Sequence, residues 1–180
     1  MQALNIYGWG TFSDVSIIKA VEVPSQPSIA TASASGTDVV ISWVEPAANG
    51  DDISSYDILI KQSDGTFSNE LTYCNGSSEA IVTATSCSIP FTVLRSTPFD
   101  LAFGDLVQVR VSATNSRGAS EYSQENSSGV AIQVPPSQIT TLDIDPSTSS
   151  VESIGLVWQA LTTNEETGGS PILNYKIRWN

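Results

Sequence analysis

Residues Leu106–Ser123 read "LVQVRVSATNSRGASEYS", and the eight positions from Val107 to Thr114 alternate without a break. Val107, Val109, Val111 and Ala113 point one way while Gln108, Arg110, Ser112 and Thr114 point the other, the pattern of a strand with one buried and one wet face. Asn115 and Gly118 interrupt the alternation with a turn signal, and the aromatic-Ser pair Tyr122-Ser123 follows. The same phrase opens the chain. In "MQALNIYGWGTFS", Met1–Ser13, Asn5 answers Asn115, Gly8 answers Gly118 and Phe12-Ser13 answers Tyr122-Ser123, about 110 positions apart.

Alternation continues on both sides of this stretch. In "TDVVISWV", Thr37–Val44, the residues Val39, Ile41 and Trp43 share a face, and in "YDILIK", Tyr56–Lys61, Tyr56, Ile58 and Ile60 do the same. Turn signals at Asn49-Gly50-Asp51, Asp64-Gly65 and Gly104-Asp105 separate these runs. "FTVLRS", Phe91–Ser96, following Pro90, is the one stretch that predicts a helical turn. The repeat also extends: "VPSQPSIATASASGTDVVISWVEP" from Val23 is echoed by "VPPSQITTLDIDPSTSSVESIGLVWQA" from Val134, with Trp43 answering Trp158, Ile53 answering Ile172 and Tyr56 answering Tyr175. The spacing between echoes grows along the chain as loops lengthen, because loops accept extra residues at little entropic cost. A tandem array with a unit of about 110 residues is the expectation.

The proline-led first strand, the second strand ending in Trp43, the "W-x-x-P" and "I-x-x-Y-x-I" that follow, and the late "V-x-V-x-A-x-N-x-x-G" before "Y-S" together resemble the fibronectin type III repeat. The resemblance covers the whole chain: residues 1–23 as the F–G hairpin of one repeat, 24–134 as a complete repeat, and 135–180 as strands A, B and C of a third. It implies an all-β, immunoglobulin-like antiparallel sandwich with strands A, B and E facing C, C′, F and G, and Trp43 packed on Tyr56. Two departures stand out. Val107 stands where the family places a Tyr that anchors the corner before strand F, so the anchor must come from elsewhere. An insertion, "CNGSSEAIVTATSCSIPFTVLRSTPFDLAFGD", lies between C′ and F; its cysteines, "SIP" and "PFDLAFGD" resemble repeats of large surface proteins of ciliated protists.

Composition narrows the function. Seven Lys and Arg against nineteen Asp and Glu give a net charge of −12, with no basic stripe for a phosphate backbone, so nucleic acid is not an expected partner. No apolar run approaches a bilayer's thickness, and residues 1–20 carry no basic segment followed by an apolar one of the signal-peptide kind. Histidine is absent, which removes the commonest general base and metal ligand. The acids fall beside turn residues, as in "NGDD" and "SDG", so neither catalysis nor a cofactor is expected. Asp51-Asp52 and Asp143-x-Asp145 offer oxygen ligands for calcium, but neither reproduces an EF-hand loop; a solvated acidic surface is the preferred reading.

Four features carry candidate chemistry. Cys74 and Cys87 are the only cysteines; two buried thiols are one reading and a disulfide the preferred one, worth about 3 kcal/mol for a loop of this size and placing the protein in an oxidising compartment. Asn75-Gly76-Ser77 and Asn126-Ser127-Ser128 are N-glycosylation triplets, both expected to be exposed. Trp9 is expected at the tip of the first hairpin, to pack on a neighbouring domain or to bind a ligand. The F–G turn reads "NSRGA", so Arg-Gly-Asp recognition is not supported. The short Pro-containing linkers at Glu22-Val23-Pro24 and Gln133–Pro136 predict stiffness. Two functions follow as expectations: a module of a long extracellular fibre, coat or appendage whose partners are neighbouring repeats or other copies of itself, or a cell-surface adhesin that binds through its loops.

Overall fold

The computed structural model of the chain describes residues 1–17 and 19–179; Ile18, inside the expected N-terminal hairpin segment, and Asn180, at the end of the expected last strand, lie outside the described residues. Period-two alternation is realised as short strands. In chain order they are β1 (Leu4–Asn5), β2 (Gly8–Trp9), β3 (Thr31–Ser35), β4 (Asp38–Ser42), β5 (Ser55–Lys61) and β6 (Phe67–Ser68). Then follow α1 (Glu79–Ala84), β7 (Ser86–Pro90), α2 (Phe91–Leu94), β8 (Val109–Asn115) and β9 (Gly118–Ala119). The chain continues through β10 (Leu142–Ile144), β11 (Leu156–Trp158) and α3 (Asn164–Thr167).

A three-stranded sheet, β3-β4-β7, faces a four-stranded sheet, β6-β5-β8-β9, and every pairing is antiparallel. These are the fibronectin type III-like layers A, B and E against C′, C, F and G, so the fold class is the one the alternation predicts. One face of each central strand makes the core. Val39 and Ile41 of β4, Ile60 of β5, and Val109, Val111 and Ala113 of β8 have no exposed surface, each large apolar side chain contributing about 1.5–3 kcal/mol by leaving water. Trp43 and Tyr56 meet edge to face with ring centroids 5.1 Å apart, the geometry that aromatic quadrupoles favour.

The insertion supplies a core strand rather than a loose loop. Its β7 pairs with β4, Cys87 standing opposite Ile41, and Phe91 and Leu94 of α2 are buried beneath it. Cys74 and Cys87 form a disulfide with Cα atoms 5.2 Å apart, both residues being buried. The bridge ties the start of the insertion to the middle of the sandwich. Helix α1 follows Ser78, carries Glu79 in its first turn, where the helix dipole favours negative charge, and ends at left-handed Thr85, whose N–H bonds the carbonyl of Ile81.

The extended segment after β9 holds β8 largely through side chains. Ser120 Oγ accepts from Ala113 N (3.0 Å), Ser123 Oγ from Val111 N (3.0 Å) and Asn126 Oδ1 from Val109 N (2.7 Å). This segment thus advances three residues for every two of β8. Asn126 Nδ2 donates to the carbonyls of Val107 and Ser128, both at 2.9 Å, so Asn126 secures the segment at which the resemblance calls for a corner tyrosine. This overturns one expectation: Asn126 is 3% exposed, with its amide committed to backbone groups, so it is not an exposed glycan acceptor.

The flanking segments copy parts of this sandwich. In the N-terminal hairpin Asn5 pairs with Gly8 as Asn115 pairs with Gly118, and Gly8 and Gly118 adopt φ of 129° and 138°, a region that suits glycine. Gly10 N bonds Ala3 O and Ser13 N bonds Met1 O, as Ser120 N bonds Ala113 O and Ser123 N bonds Val111 O, all four at 2.8 Å. At the other end β10 pairs with β11, and Trp158 meets Tyr175 edge to face at 5.3 Å. Residues 170–179, expected as strand C, join no sheet; among the described residues no strand lies beside them as β8 lies beside β5.

Candidate functional site at the two linker segments

The linker Ala20–Ser25 meets the loop between β4 and β5. Glu22 N donates to Asn49 O (3.1 Å) and Ser25 N to Ala47 O (2.9 Å), so the incoming chain is bonded along the loop like a short ladder. The loop can turn this tightly because Asn49 and Gly50 take φ of 52° and 91°, the left-handed region that Asn and Gly tolerate best. A Cβ on Gly50 would sit 2.5 Å from the carbonyl oxygen of Ala20, closer than real atoms approach. Asn115 locks the corner: only 4% exposed, its amide donates to Glu22 O (2.7 Å) and Ala48 O (3.0 Å). Asp51 accepts from Ser116 N at 3.1 Å, and hydrogen bonding by Ser116 holds the Asp51 carboxyl below its ordinary 3.8.

The linker Ile132–Ser137 meets the loop after β11 in the same way. Val134 N donates to Gly168 O (2.9 Å) and Ser137 N to Glu166 O (2.8 Å), with the same spacing on both sides of the clamp as at Glu22, Ser25, Asn49 and Ala47. Gly168 and Gly169 take φ of 67° and 80°, repeating the Asn49-Gly50 pair. A Cβ on Gly169 would lie 3.1 Å from Ile132 O, the counterpart of the Gly50 contact with Ala20 O, and 2.8 Å from the Phe103 ring. This second loop also carries α3, started by a reciprocal capping box in which Thr163 Oγ1 accepts from Glu166 N and Glu166 Oε2 accepts from Thr163 N. Backbone N–H bonds from Thr163 and Thr162 hold the Glu166 carboxyl below its ordinary 4.5.

The candidates singled out in the sequence lie apart from one another. The turn of the first hairpin is Ile6-Tyr7, so Trp9 stands on the return strand opposite Leu4, not at the tip, and is 64% exposed. Asn75 is exposed beside the disulfide, with Oδ1 accepting from Ser77 N. Asp145 holds its own turn: hydrogen bonds from Ser147, then Thr148, keep its carboxyl below the usual value. Among the described residues no three His, Cys, Asp or Glu gather as a metal site, and no helix is long and apolar enough to cross a membrane. Sequence reading missed Arg95 and Phe103 and marked Asn115 only as a turn residue, because their partners lie across loops; the turn signal at Asn49-Gly50 marked only one side of the contact.

No family profile and no curated protein matches the chain. Among solved structures it is similar to the titin kinase with its flanking domains (19% identity over 62% of this chain and 18% of that one, TM-score 0.41). It is likewise similar to the twitchin kinase region of C. elegans (19%, covering 76% and 20%, TM-score 0.44) and to the FN1-FN3 domains of chicken CNTN1 (17%, covering 80% and 44%, TM-score 0.41). The chain thus spans less than half the length of each of these three.

Proposed function

We propose that the chain is a structural stretch of a tandem-repeat protein, in which sandwiches follow one another through very short linkers to build a stiff extracellular fibre, coat or appendage. The observation that carries this reading is the repetition of the linker clamp, bond for bond, at Glu22–Ser25 and Val134–Ser137. A linker whose N–H groups are bonded to the next loop has little freedom to swivel, and a surface that used its loops only for binding would have no need to repeat that geometry. The Cys74–Cys87 disulfide supports an oxidising compartment, and Asn75 is the position at which a glycan fits. The likeness of the insertion to surface-protein repeats of ciliated protists belongs to the same reading.

The adhesin reading has one observation in its favour: Ile6, Tyr7 and Trp9 project from the first hairpin with 90%, 91% and 64% exposure. Electron microscopy of the native material separates the two. Ordered filaments or a continuous coat are expected; single, well-separated molecules that bind a cell surface through the hairpin side chains would replace the architectural reading with the adhesive one.

A further inference from the structure

The second clamp carries an addition that the first lacks. Three residues separate Trp43 from Ala47, whereas seven separate Trp158 from Glu166. The added residues form the start of α3, which projects Glu165 toward the central sandwich. There Arg95 Nη2 donates to Glu165 Oε1 at 2.7 Å while the guanidinium lies 3.8 Å from the centroid of Phe103. Phe103 in turn is the ring against which Gly169 packs. Arg95 and Phe103 both come from the insertion that distinguishes the central sandwich from its family.

We propose that the insertion of one sandwich and the lengthened β-loop of the next are matched halves of an angular lock: a socket of Arg95 and Phe103 that receives Glu165 and Gly169. The inference rests on the tandem reading and deepens it by naming the surface through which one unit sets the orientation of the following one. An exposed ion pair alone contributes little. Here the pair is seated on an aromatic face that a cation favours, and the loop backbone can reach that ring only because Gly169 has no side chain. The clamp fixes where the linker runs; the lock fixes rotation about it. The Ala47–Asn49 loop lacks the added turn and bears Pro46 just before it, so it carries no counterpart of Glu165.

The test uses the full chain with spin labels at Ser33→Cys on β3 and Asp143→Cys on β10, both exposed; the native cysteines are bridged and leave no free thiol. Electron–electron distance measurements are expected to give one narrow population. Arg95→Glu should abolish that population, Glu165→Arg in the Arg95→Glu background should restore it, and Gly169→Ala should abolish it independently. A second label pair within the central sandwich, at Ser33 and Asp64, is expected to stay narrow throughout, showing that the fold is intact. A broad distribution in the unmutated chain, a narrow one that survives Arg95→Glu and Gly169→Ala, or a reversed pair that restores nothing would each overturn the lock. The variant results bear on the lock alone, whereas a broad distribution in the unmutated chain also contradicts a stiff junction; the architectural reading itself fails when native material shows separate molecules.

Discussion

At the scale of single residues, Asn126 shows how local chemistry overrides a motif. Its triplet marks a glycan acceptor, yet the side chain satisfies two backbone groups of a core strand, and a buried polar group without a partner is costly. Asn126→Ala leaves the Val109 N–H and the Val107 carbonyl without this partner and should cost about 3 kcal/mol; urea unfolding should show a lower midpoint at unchanged slope, and a near-neutral result would contradict the assignment. Peptide mass analysis of native protein should find Asn126 bare. Tyr122 offers a second check on the same edge. Burial, then its hydrogen bond to Asp57, pushes its hydroxyl up to about 12. Neutral Tyr122 is therefore favoured by folding: the stabilisation is complete below the unfolded value near 10 and is lost as pH rises through about 12. Absorbance titration of the Tyr122→Phe variant against the unmutated protein should show the lost ionisation lying at about 12, and loss of a tyrosine ionising near 10 would refute it. The alternation of Val107, Val109 and Val111 was plain in the sequence, but the ladder of Ser120, Ser123 and Asn126 was not, because a spacing of three set against two has no meaning until the strands are paired.

At the scale of elements, the central strands and the helical turn α2 were legible, and the helices α1 and α3 were not. Four to seven alternating residues mark β4, β5 and β8, whereas α1 and α3 each span less than two turns, too little for a helical period to emerge. What decides α3 is its cap. Thr163→Ala should weaken the α3 turn by about 1 kcal/mol, visible as faster amide exchange at Glu166 and Thr167 with the core unaffected. The carboxylates report on the clamps. Glu166 and Asp51 are held below their ordinary values, so their contributions are complete above those values and fall away as pH drops through the lower folded ones. Carboxyl-carbon NMR should show each of the two titrating below its own ordinary value during acidification. The insertion depends on its staple: replacing Cys74 and Cys87 by Ser should cost about 3 kcal/mol, detected by denaturant unfolding, and an unchanged midpoint would mean that β7 holds its place without help.

At the scale of the whole molecule, the opening phrase of the chain echoes Val111–Ser123, and matching hydrogen bonds in the two segments support the proposed repeating unit. The junction chemistry was hidden for a simple reason. Asn49-Gly50 and Gly168-Gly169 read as ordinary turns, and nothing in one sequence says that the carbonyls of Ala20 and Ile132 lie against them. Once both clamps are seen, the central claim is mechanical: consecutive units keep a fixed relation instead of hanging as beads on a string. Small-angle X-ray scattering of the native protein tests this most directly. A stiff array of beads about 35 Å across predicts rod-like scattering, intensity falling inversely with angle over the intermediate range, with a cross-section of one sandwich. Scattering that instead follows a flexible chain of independent domains, with no rod-like region, would contradict it.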